Sequence, residues 1–322
     1  MRGDRVAGAV VGLAVGDAAG WPAARHRAAL HAAWSRRLYR ELDAFAEEHR
    51  VTTLPVPFAL NQPTAPLAVG PSDDAEWLAW TILTMRTPRA DAFRALAGRD
   101  DIRARISVVT ALDNLAKGVE PPASGHDNPH YFDDAAAVRA VAFGLRGADP
   151  DEDAQVTNAG DGLLGARAMA AAVAEAVTTG SAAKAVAAAL DVLPEDTAIG
   201  RNARLALDAA RAAGDPFGAV PALDAALLDH VYSYGVGAAL TVPAALALTE
   251  VSDGALGRAV PAAACLPSLA DSAPALTGAL TGACGGYGAI PRGWVAPART
   301  LAGCCLPELA GKDLIELTEE LA

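Results

Sequence analysis

No stretch of this chain alternates apolar and polar residues long enough to make a convincing strand. Alanine, the best helix former, dominates instead, and the β-branched and aromatic residues are scattered among it. That pattern restricts the chain to an all-α architecture. Over 322 residues, 52% are apolar and 20% charged, enough to bury a sizeable core and to exclude disorder. No repeat period or low-complexity linker interrupts the sequence, so residues 1–322 read as one compact multi-helix domain.

Periodicity and capping signals place helices over 6–19, 23–50, 73–85, 102–117, 133–145, 151–179, 195–213, 220–229, 235–250, 272–284 and 311–321. Residues 51–71 carry five prolines and no periodicity, the signature of a long loop. A second loop is expected over 114–131, where prolines, glycines and two histidines collect.

Lys and Arg number 26 against 38 Asp and Glu, a net charge of −12. Such a surface repels polyphosphate, which argues against sequence-independent binding of nucleic acid. Residues 231–249 and 272–291 lack charge for about the length of a membrane span. Their Ala, Gly, Ser and Thr content, with Pro243 and Pro274, suits buried helices rather than a membrane segment. The apolar run from Ala7 to Gly16, preceded by Arg2 and Arg5, mimics an export signal but reads better as a first helix, flanked as it is by Asp4 and Asp17. The four cysteines lie in the last sixty residues without metal or disulfide spacing, so small buried thiols in a reducing, cytoplasmic setting are expected.

Chemistry could gather at several acidic helix starts. In Gly70-Pro71-Ser72-Asp73-Asp74-Ala75-Glu76-Trp77, Ser72 suits an N-cap and the aspartates suit the first turn, where each acid gains about 0.3–1 kcal/mol from the helix dipole. The same hydroxyl and adjacent carboxylates suit a hard cation such as Mg²⁺ or Ca²⁺. Asp271-Ser272 opens a second such helix, whose Gly278 and Gly282 permit close packing on another backbone. Asp133-Asp134 opens a third, and Asp17 lies among small residues in Gly12–Pro22, as a helix-end turn or a pocket wall. Trp77 and Trp80 read as core anchors, whereas Tyr232, Tyr234 and Tyr287 could stack on a base. His126 and His130 sit in a loop, and neither zinc-hydrolase, serine-esterase nor phosphate-loop patterns occur.

Taken in order, these blocks resemble the ADP-ribosylglycohydrolase family. Gly12 to Pro22 is similar to its opening Gly-Leu-x-x-Gly-Asp-x-x-Gly-x-Pro, and Ser72-Asp73-Asp74-Ala75 to its Thr/Ser-Asp-Asp-Thr metal motif. Ala135 to Gly144 resembles the Gly-Ala-x-Met-Arg-x-x-Pro-x-Gly stretch, and Asp271-Ser272 with Tyr287 to Pro291 the closing Asp-x-Asp-Thr and Ile-Pro elements.

The resemblance implies Mg²⁺-dependent hydrolysis of an N- or O-glycosidic bond to ADP-ribose or a related ribosyl group. Ser72, Asp73, Asp74, Asp271 and Ser272 would be metal ligands, with Asp73 and Asp74 also catalytic. Gly16, Asp17, Asp134, Ala135, Ala136 and Asn158 would line the substrate pocket. The implied partner is an ADP-ribose-type small molecule or an ADP-ribosylated target.

Departures from the pattern remove ligands. Leu269 stands where the closing motif has its first aspartate, Ala24 where a supporting glutamate is expected, Ala75 for a threonine, and Asn158 for a histidine. With Leu269 in place, one Mg²⁺ is expected rather than two. The alternative is a catalytically inactive member serving as a nucleotide-ligand-binding or interaction module.

Overall fold

A computed structural model describes residues 2–20, 70–227, 235–266 and 268–321. The expected helix 23–50, most of the loop 51–71, Ala24, Tyr232 and Tyr234 lie outside the described residues. Within the described residues there are sixteen α-helices and no strand, only isolated bridges pairing Asp133 with Gly237 and Thr300 with Asp313. In chain order they are α1 (Arg2–Gly20), α2 (Asp73–Thr84), α3 (Arg89–Arg94), α4 (Ile106–Ala116), α5 (Ala123–His126) and α6 (Ala135–Arg146). There follow α7 (Asp151–Thr157), α8 (Asp161–Thr179), α9 (Ala182–Asp191), α10 (Ala198–Ala213) and α11 (Pro216–Leu227). The series closes with α12 (Ala238–Val251), α13 (Leu256–Ala264), α14 (Ala273–Gly285), α15 (Arg292–Ala298) and α16 (Leu314–Leu317).

The central contact joins the first helix to a late one. Along α1, glycines recur at every fourth position, so they share one face. That face meets α14 antiparallel: Gly8 lies on Gly282, Gly12 on Gly278 and Gly16 on Pro274. A Cβ added to Gly12 would stand 2.2 Å from the Gly278 carbonyl oxygen, and one on Gly16 only 1.9 Å from that of Pro274. No larger residue fits. Because the backbones touch, the C-terminal half of α1, with Asp17, is held beside the start of α14, with Ser272.

A polar clamp ties a second set of helices. Asp153 of α7 accepts from Arg89 Nε of α3 at 2.9 Å and from Arg139 Nε of α6 at 2.8 Å. All three side chains are almost fully buried. Arg89 also lies 5.0 Å from the Trp80 ring of α2, and Arg139 5.0 Å from that of Phe93. Trp77 and Trp80 are buried, as the sequence implied.

Several boundaries differ from expectation for local reasons. The helix expected over 151–179 breaks into α7 and α8, because Asn158 is extended and Gly160 has φ 51°. Breaking there lets the Asn158 amide donate to the Tyr131 carbonyl at 3.1 Å and the Asp133 carbonyl at 3.0 Å. The helix expected from residue 102 begins only at Ile106, and that expected over 311–321 reduces to α16 and a 3₁₀ turn. The expected loop 114–131 contains the end of α4 and all of α5. Short helices α3, α9, α13 and α15 escaped the periodicity reading; in α13 and α15 internal Pro261 and Pro297 hid the pattern. Among the described residues no helix is long and apolar enough to cross a membrane. Cys284 and Cys305 are buried thiols, but Cys265 and Cys304 are exposed, a correction to the uniformly buried set expected.

Candidate functional site

Four helices begin at one place. The residues preceding them, Ser72 before α2, Arg105 before α4, Asp134 before α6 and Ser272 before α14, all stand at N-cap positions. None of the four caps its own helix through its side chain. Their side chains engage one another instead. Each helix start contributes roughly half a positive charge, which favours acids in its vicinity.

At the centre of these starts lies a guanidinium. Arg105 Nη2 donates to Asp74 Oδ1 at 2.8 Å and to Ser272 Oγ, and stands 3.8 Å from Asp73 Oδ2. Its Nη1 is 3.5 Å from Asp271 Oδ2, and its Nε 3.3 Å from Asp134 Oδ1. The Arg105 side chain is only 8% exposed. One planar cation thus holds carboxylates from three helix starts. Asp73 and Asp271 are the accessible members, at 16% and 14%, whereas Asp74 and Asp134 are buried.

The charge balance follows from this burial. Desolvation, against the opposing pull of Arg105 and with the neighbouring Asp73, Asp17 and Asp134 carboxylates adding to it, holds Asp74 well above the usual carboxylate range. Desolvation likewise pushes Asp134 up to about 7; Arg105 and the Thr241 hydroxyl oppose the rise, Asp133 and Asp271 favour it. Burial also works against the charge on Arg105, but the carboxylates of Asp134, Asp74, Asp73 and Asp271 outweigh it and hold the guanidinium firmly protonated.

Behind this cluster stands Asp17. Its carboxylate accepts from the Ser72 amide at 2.7 Å, from the Ala75 amide at 3.1 Å and from the Ser72 hydroxyl. The cap of α2 is therefore supplied from α1, not by Ser72 itself. Ser72 Oγ also lies 3.2 Å from Asp73 Oδ1.

Of the sequence candidates, Asp73, Asp74, Asp134, Asp271 and Ser272 converge on Arg105, with Ser72 adjoining them. The rest have packing or anchoring positions: Gly16 in the α1–α14 seam, Asp17 on the start of α2, and Ala135 and Ala136 buried in the first turn of α6. Asn158 is buried, donating to Asp133 Oδ1 at 2.9 Å and accepting from the Thr157 hydroxyl at 2.6 Å. Leu269 and Ala270 are core residues.

The donor set does not fit a divalent ion as it stands. Asp74 Oδ1 and Ser272 Oγ are turned to a guanidinium nitrogen, and the Ser72 hydroxyl donates to Asp17. A dication about 4 Å from Arg105 would meet roughly 8 kcal/mol of repulsion at an effective dielectric of about 20. Asp74 and Asp134, pushed toward their protonated forms, contribute little against it.

Two features escaped sequence reasoning. Arg105 is one; the signal was available, since a basic residue before an apolar helix opposes the dipole and needs other partners. The other is Glu76 of α2, whose ligand atoms lie within 4.8 Å of those of Cys304 and Cys305, a group able in principle to hold a metal. Its carboxylate instead accepts the amides of Cys304, Cys305 and Leu306 at 2.8, 2.7 and 2.9 Å. The Cys304 contact and burial push the Cys305 thiol far up, so it stays protonated beside an anchoring glutamate.

Comparison with known proteins agrees with the fold. A solved structure described as an ADP-ribosylglycohydrolase-related protein complex shares the fold, with a TM-score of 0.58 and 19% identity over 99% of this chain and 97% of that one. No curated protein matches. The model of the ADP-ribosylglycohydrolase family matches residues 1–322 in full. From its first helix to its last, this chain belongs to the ADP-ribosylglycohydrolase family.

Proposed function

We propose that this chain is a member of the family that has left divalent-metal hydrolysis behind, and that it acts as a binding or interaction module for an ADP-ribose-type ligand or an ADP-ribosylated target. The observation that carries this reading is the Arg105 guanidinium among Asp73, Asp74, Asp134 and Asp271. A base at this site must be ionised and free to take a proton from water. Asp74 is neither, being bonded to Arg105 and pushed toward its protonated form by burial. The one Mg²⁺ inferred from the resemblance would compete with Arg105 for the same oxygens.

The choice of an ADP-ribose-type ligand draws on the family membership and on the four helix N-termini that meet here, whose dipoles favour an anionic group. The reading also assigns the chain to a reducing compartment, the cytoplasm. Its support is that the four cysteines lack the spacing of a disulfide framework.

The second reading, a hydrolase with a reduced metal site, draws on the meeting of Asp73, Asp74, Asp271 and Ser272 at one point. One pair of measurements separates the two. Peptides ADP-ribosylated on arginine or serine are incubated with the protein in Mg²⁺ or in EDTA, and ADP-ribose binding is titrated calorimetrically in both. We expect no release above an Asp74→Ala blank, and the same ADP-ribose affinity with and without metal. Mg²⁺-dependent release that disappears in Asp74→Ala would establish the hydrolase instead.

A further inference from the structure

Arg105 occupies a position that its own helix disfavours. As the N-cap of α4 it sets a positive charge against the positive end of a dipole, with its side chain only 8% exposed. Nothing local compensates. What does compensate is distant in sequence: Asp74 31 residues away, Asp271 166 and Ser272 167. All three nitrogens of the guanidinium face oxygens of this cluster. Other buried arginines behave differently: Arg89 and Arg139 share the single carboxylate of Asp153 and lean on aromatic rings.

The oxygens that surround Arg105 would, without it, surround nothing. Asp74 Oδ2 is already buried with no hydrogen-bond partner among the described residues. Carboxylates from α2, from Asp134 before α6 and from Asp271 two residues before α14, with the Ser272 hydroxyl, form an oxygen-only donor set of the kind hard divalent ions take.

We propose that Arg105 is the resident cation of this carboxylate cluster, filling the place a divalent ion would take, and that removing its charge opens a divalent-cation site formed by Asp73, Asp74, Asp134, Asp271 and Ser272. The proposal rests on the reading that the native chain binds no divalent ion there. Its own content is that one side chain is what keeps the ion out.

The test uses Mn²⁺ as the probe, followed by electron paramagnetic resonance and by calorimetry on full-length protein, with no activity readout. The native protein should show no saturable Mn²⁺ binding. Arg105→Ala should bind one Mn²⁺ at least about a hundredfold more tightly than the native chain, since the repulsion from a guanidinium about 4 Å away is gone. Its melting temperature should rise on adding Mn²⁺, and adding Asp73→Ala to Arg105→Ala should abolish both effects. Arg105→Lys, which keeps a cation, should stay blind to Mn²⁺. Where Arg105→Ala does not fold, the near-isosteric, neutral Arg105→Gln carries the same expectations.

A folded Arg105→Ala or Arg105→Gln with no more Mn²⁺ affinity than an inert native chain overturns this inference and leaves the metal-free reading intact. Native protein that already binds Mn²⁺, and loses it in Asp74→Ala, overturns the metal-free reading and with it this inference.

Discussion

Asp17 was expected from the resemblance to touch substrate; in the fold it holds up a helix, and the two roles differ measurably. Its carboxylate is fully buried and accepts from the amides of Ser72 and Ala75 and from the Ser72 hydroxyl. Asp17→Ala leaves two backbone donors and a hydroxyl without acceptors. A buried donor without a partner costs about 1–3 kcal/mol, and the two amides together about 2–6 kcal/mol. The start of α2 can relax toward water at the rim, so we expect about 3 kcal/mol, a large part of the roughly 5–15 kcal/mol that keeps a domain folded. With a urea m-value of about 3 kcal/mol/M, the unfolding midpoint should fall by roughly 1 M at constant m. Asp17→Asn keeps one acceptor oxygen and should lose about half as much. Far-UV circular dichroism in urea gives the stability, and ADP-ribose titration of the folded variant gives binding. An Asp17→Ala midpoint within about 0.2 M of the native one, with ADP-ribose affinity lost, would falsify the anchoring role and make Asp17 a ligand contact.

Gly278→Ala puts a Cβ 2.0 Å from the Gly12 carbonyl oxygen, so α1 and α14 must part by more than about 1 Å. Overpacking of that kind costs about 1–3 kcal/mol, and scanning calorimetry should find the melting temperature lowered by roughly 2–4 °C. Asp153→Asn removes the charge shared by Arg89 and Arg139 and should destabilise by about 3–5 kcal/mol in tryptophan-monitored unfolding; a loss below about 1 kcal/mol would contradict the clamp. Asp134, pushed up to about 7 in the fold from an ordinary 3.8, holds its proton in the folded state where the unfolded chain has released it. Stability from this group is therefore full below about pH 4 and is lost as pH rises toward 7. The native-minus-Asp134→Asn difference in unfolding free energy should fall across that window and level off above it, and a flat difference would contradict the burial argument.

Much of this was legible from local pattern. Alanine-rich periodicity gave the all-α class, and acids in the first turn of α2 and just before α6 and α14 located those starts. Gly278 and Gly282 signalled close packing, and the matching Gly8, Gly12 and Gly16 of α1 carried the same spacing. What local pattern does not carry is which helix start faces which. Asp17 and Ser72 are 55 residues apart, and nothing near either announces that one caps the helix of the other. Arg105 was hidden for a second reason. Reading a helix from residue 102 puts Arg105 on a turn of an amphipathic surface, where an arginine draws no notice, whereas a start at Ile106 makes it an anomaly.

Acids that stay aimed at a common point invite the inference that an ion keeps them there, since unneutralised carboxylates in a cleft should otherwise drift away. The geometry removes the premise. Four helix N-termini meet at this point, and each stabilises a nearby anion by about 0.3–1 kcal/mol. Arg105 adds a full positive charge within 4 Å of Asp73, Asp74, Asp134 and Asp271. Losing Asp74, whose Oδ1 accepts from Arg105 Nη2 at 2.8 Å, would remove the guanidinium's shortest carboxylate contact, at a cost of about 1.5–3 kcal/mol. Folding stability alone therefore opposes the loss of Asp74, with or without catalysis. The retained Ser-Asp-Asp motif accordingly counts as evidence for the fold, and evidence for hydrolysis has to come from whatever cation lies between the acids, which here is an arginine.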